Sequence, residues 1–137
     1  MLMDIKHPET EHNLVDFNLQ NKKGTTALML AIKNNNNEIA KMLIDIKDTK
    51  TKHNLVNFNL QNKEGKTALM LAIENNNNEI VQYLIEVTDP ETGYPLVNIN
   101  LRKYNFWGEN TGNVPLVQAV ENNNYHIVKM LINIINP

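Results

Sequence analysis

The chain has no cysteine, which excludes disulfides, thiolate metal sites and covalent cysteine catalysis. Serine is also missing, so the commonest nucleophiles are gone together. Arginine occurs once, at Arg102, and tryptophan once, at Trp107. A formal charge of −2 and a pI near 6.1 offer no general attraction to nucleic acid or to an anionic membrane. No apolar run reaches membrane-spanning length, because the longest are broken by Lys33, Asp45 or Asn133. The opening Met1-Leu2-Met3-Asp4 meets an acid too soon for a secretory signal. These absences lead to the expectation of a cytoplasmic protein with no cofactor and no metal. Its 137 residues, 42% of them apolar, make one domain's worth by length.

What is present in excess is asparagine, and it recurs with a period. Leu14-Val15-Asp16-Phe17-Asn18-Leu19 returns as Leu55-Val56-Asn57-Phe58-Asn59-Leu60 and as Leu96-Val97-Asn98-Ile99-Asn100-Leu101, a step of 41 residues each time. Thr26 to Ile44 is a near-copy of Thr67 to Ile85, and Val114 to Ile132 is a looser third version. Repeats of this length mark solenoids, in which each copy buries its faces only against its neighbours. Between Gly65 and Gly112 the step grows to 47, and the extra residues lie within Arg102 to Thr111.

Each copy reads as two short helices. Thr26 and Thr67 stand where a hydroxyl accepts from a free helix N–H, and Pro115 occupies a first helical position, where proline costs nothing. The second helix carries Ile39, Met42, Leu43 and Ile46, then Ile80, Tyr83, Leu84 and Val87, an apolar stripe of helical period. Between the helices, Asn35-Asn36, Asn76-Asn77 and Asn123-Asn124 suit a left-handed terminator followed by an N-cap. A run of four asparagines exceeds those two needs. The inserts His7 to Asn13, Asp48 to Asn54 and Asp89 to Pro95 have turn composition. The Leu-Val-Asn-Phe-Asn-Leu runs after them predict extended arms that pair with their neighbours into a small sheet.

On these residues the chain resembles the ankyrin-repeat family. Its Thr-Pro-Leu-His-x-Ala signature is matched by Thr26-Ala27-Leu28-Met29-Leu30-Ala31, Thr67-Ala68-Leu69-Met70-Leu71-Ala72 and Val114-Pro115-Leu116-Val117-Gln118-Ala119. The family hairpin Asn-x-x-Asp-x-x-Gly is matched at Asn18 to Gly24 and at Asn59 to Gly65. Glu38-Ile39-Ala40, Glu79-Ile80-Val81 and His126-Ile127-Val128 resemble the family's entry into its outer helix. The resemblance implies an all-α solenoid, an ankyrin-type stack of three helix–turn–helix pairs with extended hairpin arms between repeats. It implies one domain over 1–137, with copies at about 14–47, 55–88 and 96–135 and residues 1–13 as the tail of a preceding outer helix plus a loop. Methionine or valine replaces the signature histidine, which removes a side-chain bond at the start of the inner helix. Val114 replaces the capping threonine, so the third copy is expected to be the least rigid.

The resemblance further implies a module that binds another protein through hairpin tips and the concave face of the inner helices. Carried over by position, the contacts are Lys22, Lys23, Thr25 and Lys33 in the first copy and Lys63, Glu64, Lys66 and Glu74 in the second. In the third they are Asn113 and Glu121, with Tyr104, Phe106 and Trp107 added by the longer loop. Aromatic residues and arginine dominate interface hot spots; equally, Phe106 and Trp107 could fold back as a cover for the last repeat. The face grades from basic at the first copy to acidic and aromatic at the third. The resemblance extends to effectors of viruses and intracellular bacteria, which would act in a host cytoplasm, a source with which the asparagine bias agrees.

Catalysis is not expected. Glu74 and Glu121 recur by translation, which spaces carboxylates along a surface instead of converging them on one bond. His12 and His53 are repeat equivalents in turns, and no helix sets two histidines four apart beside a carboxylate. Gly24, Gly65 and Gly112 are single turn glycines. Met29 and Met70 are expected to serve packing. A second reading is self-assembly, through exposed arms pairing edge to edge or through the ends, because Met1 to Lys6 and Met130 to Ile135 both match the close of an outer helix and neither end has a polar capping face.

Overall fold

The computed structural model describes residues 15–103 and 114–134. Among these, six helices follow one another in pairs: α1 (Ala27–Lys33) with α2 (Asn37–Asp45), α3 (Ala68–Glu74) with α4 (Asn78–Ile85), and α5 (Pro115–Glu121) with α6 (Tyr125–Ile132). The inner helices α1, α3 and α5 pack side by side in one row, and the outer helices α2, α4 and α6 form a second row behind them. The main helix contacts run between partners in a pair and between neighbouring pairs, the arrangement of a solenoid.

Helices of seven to nine residues do not stand alone in water. Here each is held by what flanks it. In α3, enclosed by α1 and α5, every residue from Ala68 to Ile73 is buried. Ala31, Ala72 and Ala119 recur at one position and are all buried, which lets the inner helices approach closely. Ile32, Ile44, Ile73, Ile80, Leu84 and Ile127 form the fully buried centre of the core. Each such side chain contributes about 1.5–3 kcal/mol relative to exposure.

The asparagine run proves to have four uses. Asn34, Asn75 and Asn122 are helix C-caps. Asn35, Asn76 and Asn123 take positive φ of 55°, 52° and 58°, the left-handed turn that asparagine tolerates. Asn36, Asn77 and Asn124 cap the outer helices through their side chains. The remaining capacity crosses between repeats. Asn75 Nδ2 donates to Ile32 O at 3.1 Å and Asn122 Nδ2 to Ile73 O at 3.0 Å. Asn77 Nδ2 reaches Asn37 Oδ1 at 2.8 Å, and Asn124 Nδ2 reaches Asn76 and Asn78, each at 3.0 Å. The surplus asparagines are therefore rungs that lock one copy's helix ends to the next.

The start of the inner helix differs from the expectation. The thioether replaces the lost histidine: Thr26 N–H donates to Met29 Sδ at 3.5 Å while Met29 N–H donates to Thr26 Oγ1 at 3.2 Å. Thr67 and Met70 repeat this reciprocal pair at the same distances. Both methionines are buried, in agreement with a packing role. Val114 has no side-chain cap bond, as its chemistry requires.

The pairing of the arms into a sheet is corrected too: no strand forms among the described residues. Asp16, Asn57 and Asn98 each accept, through Oδ1, the amide two residues on, and these side-chain turns bend the runs before a ladder can start. The arms still touch, through single rungs. Asn18 takes Asn57 N–H at 2.7 Å and gives to Leu55 O at 3.0 Å, and Asn59 does the same with Asn98 and Leu96. The inserts at Asp48 to Asn54 and Asp89 to Pro95 are tight hairpins, each closed by one isolated antiparallel bridge, Lys47 with Asn54 and Thr88 with Pro95, while His7 to Asn13 lies outside the described residues.

Candidate functional site

The hairpin tips are built by one side chain each. Asn21 Oδ1 accepts from Lys23 and Thr25 N–H, and Asn62 Oδ1 accepts from Glu64 and Lys66 N–H, all at 2.9 Å. Gly24 and Gly65 then close the turns at φ of 75° and 77°. Successive tips are stitched together. Gln20 Nε2 bonds its own Gly24 O and then Gln61 O, and Gln61 Nε2 bonds Gly65 O and then Arg102 O. The tips thus form a fixed row, and what they carry is held at a constant spacing.

On that row Lys22, Lys23, Lys63 and Glu64 are exposed, as is Lys33 at the end of α1. Among the described residues, the ammonium groups of Lys22, Lys23, Lys33 and Lys63 have no ion-pair partner. Thr25 is different: it is buried, so it shapes the turn and offers a partner little surface. Glu121 is exposed at the end of α5. Tyr104, Phe106, Trp107 and Asn113 lie outside the described residues.

In the second copy the corresponding groups engage one another. Lys66 Nζ lies 2.9 Å from Glu74 Oε1, 3.1 Å from Glu74 Oε2 and 3.3 Å from Glu64 Oε2. Burial works against the charge on Lys66, whose side chain is 15% exposed, but the bonds and charges of Glu74 and Glu64 outweigh it. Its pKa is raised above the ordinary lysine value. Glu74 is therefore half-buried and held by Lys66 along the inner helix instead of standing free on the surface. Because the first copy has Thr25 and Lys33 at these positions, no equivalent clamp forms there. A shallow hollow beside the clamp is lined by Lys66, Met70, Glu74, Lys103, Val114 and Gln118, between the second and third copies.

The outer helices carry their own cross-repeat contacts. Lys41 pairs with Glu79, and its ammonium sits 5.4 Å from the centroid of the Tyr83 ring. Tyr83 Oη–H donates to Asp45 at 2.6 Å, and Asn37 Nδ2 donates to Glu79 at 3.2 Å. Sequence reasoning missed this cluster, because Lys41 and Tyr83 look like unrelated helix residues until the copies are stacked. On the insert hairpins, His53 Nε2 faces Glu91 Oε1 at 3.2 Å. Among the described residues no three acidic or histidine side chains converge as a metal site, and no helix is long and apolar enough to cross a membrane.

A family model described as ankyrin repeats, in three copies, matches residues 4–92 and 52–137. Comparison with curated proteins returns no match. Among solved structures, a chain of the complex between the predatory endopeptidase Bd0816 from Bdellovibrio bacteriovorus and the immunity protein Bd3460 superposes with a TM-score of 0.62 at 26% identity. That match covers 88% of this chain and 51% of the other, so the chain spans about half the length of this structural neighbour. Six helices in stacked pairs, the shared capping pattern and the family match lead to one conclusion: the chain belongs to the ankyrin-repeat family.

Proposed function

We propose that this chain is a non-enzymatic module that binds another protein, with an acidic surface of that partner laid along the hairpin tips and the inner-helix face. The observation that carries this reading is the set of exposed lysines, Lys22, Lys23, Lys33 and Lys63, with no ion-pair partner among the described residues. The fold spends its polar groups on rungs between copies and leaves these cations outside that network. Charges of one sign on a rigid row steer an oppositely charged partner and fix its register. Ankyrin repeats are in general protein-interaction modules, and the similar solved structure is itself a complex of an endopeptidase with an immunity protein.

Lys66 and Glu74 then serve as a preset pair at the middle of the face, Glu64 and Glu121 set its acidic margin, and Thr25 holds the first tip in shape. Tyr104, Phe106, Trp107 and Asn113 belong to the proposed contact on sequence grounds. The test is capture from a lysate, with bound proteins identified by mass spectrometry, using the wild-type chain beside a Lys22→Glu, Lys23→Glu, Lys63→Glu variant. The reading expects a partner held by the wild type, weakened by added salt and lost by the variant while its helical spectrum stays unchanged. A partner captured equally by both chains removes the tips from the site.

A further inference from the structure

Equivalent positions in the three copies are not equally covered. Ile39 on α2 is 46% exposed, whereas its counterparts Ile80 and Ile127 are fully buried. Leu30 and Met42 are exposed on the same flank. The opposite flank shows the reverse: Val120 on α5 is 57% exposed, while Ile32 and Ile73 at that position are fully buried. Leu116 and Ile132 are exposed beside it, although Leu28, Leu69 and Ile44 are buried. The two flanks therefore present the two halves of the joint that packs copy against copy inside the chain.

Their polar groups match in the same way. Between the first and second copies, Lys41 pairs with Glu79. The position of Lys41 is held in the third copy by Lys129, and that of Glu79 in the first copy by Glu38. Both are exposed, and neither has an ion-pair partner among the described residues. Between the second and third copies the same two positions are Gln82 and His126, so this charged rung is skipped once and its two halves reappear on the outer flanks. Asn34 corresponds to Asn75 and Asn122, which donate to Ile32 O and Ile73 O. The carbonyl in that series on the far flank belongs to Val120.

We propose that the α5–α6 flank of one copy docks head to tail on the α1–α2 flank of a second copy, continuing the stack. In that joint Val120, Leu116 and Ile132 cover Ile39, Leu30 and Met42, Lys129 pairs with Glu38, and Asn34 donates to Val120 O. Such a contact uses different surfaces on its two sides, so it extends into longer arrays or closes a ring, and does not stop at a symmetric dimer.

The test is sedimentation equilibrium of the full chain from micromolar to millimolar concentration. The expected result is a mass that grows beyond the 15.7 kDa monomer. Val120→Asp, on an exposed site that the fold does not need, weakens association by about a hundredfold, the worth of one buried valine. Lys129→Glu alone and Glu38→Lys alone each weaken it by about fivefold, and combining the two substitutions in one chain restores it. A chain that stays monomeric throughout overturns the proposal. Association insensitive to Val120→Asp, or charge variants that are not rescued when combined, also overturns it, because the copies then meet elsewhere.

Discussion

The backbone amide of Lys63 donates to the carbonyl of Lys23 at 3.0 Å, joining two hairpin tips by a main-chain bond. The approach depends on Gly24. Its φ is 75°, and a Cβ placed there would lie 2.9 Å from both Asn62 Cα and Lys63 N. Backbone atoms cannot step aside as a flexible side chain does. Gly24→Ala therefore combines a disfavoured conformation with a backbone clash and should cost about 2–4 kcal/mol. Urea unfolding followed by circular dichroism measures it. A loss under half a kcal/mol, roughly the level of an ordinary surface change, would show that the tips can separate freely.

The third inner helix lacks a cap that the first two possess. Val114 has an extended backbone, φ −102° and ψ 160°, close to the −91° and 171° of Thr67. A threonine at this site finds its hydroxyl already aimed at the helix start. Val114→Thr should stabilise the chain by about 0.5–1.5 kcal/mol, and Thr67→Val should destabilise it by about 1–2 kcal/mol. Melting temperatures of the two variants should move in opposite directions. If Val114→Thr lowers stability, the apolar hollow beside Met70 needs the valine more than the helix needs a cap.

Alkaline pH should loosen the second copy first. The pKa of Lys66 is raised above its unfolded value, so its stabilising contribution is complete below that value and fades as pH climbs through the folded one. The phenol of Tyr83 is raised by its bond to Asp45, by burial and by the charge of Asp45, and acts in the same direction. Stability measured from neutral pH to above the ordinary lysine range should fall more steeply in the wild type than in Lys66→Met. Parallel curves would mean that the clamp with Glu74 does not hold in solution.

The paired helices, their threonine caps and the left-handed asparagines were legible because each depends on residues within a few positions of one another. The remaining asparagines were not, since Asn75 bonds a carbonyl 43 residues away and Asn122 one 49 residues away. Local reading has no access to such partners before the copies are stacked. The arms misled for a related reason: Leu-Val-Asn-Phe-Asn-Leu has strand composition, but Asn57 bends its own backbone through a bond to Asn59 N–H. The loss of the signature histidine was visible, whereas the ability of Met29 to accept the Thr26 amide was not, because sulfur is too weak an acceptor to be expected there. Of the candidate site, the place of the tip lysines on the hairpins was legible from position, and the Lys66 clamp was not, because its partners stand eight residues apart at the two ends of a helix.

The rungs also bear on how such a gene can change. Gln20 and Gln61 reach partners at the same separation of 41 residues. Duplicating or deleting a segment of that length supplies or removes a complete set of donors together with their acceptors, leaving no orphan behind. A segment of another length survives only where the rungs can still close around it, and Asn122 still reaches Ile73 although the step between their copies is longer by the residues inserted between Arg102 and Val114. Growth by whole copies, with novelty confined to one connecting loop, is the kind of inheritance that this bonding pattern permits.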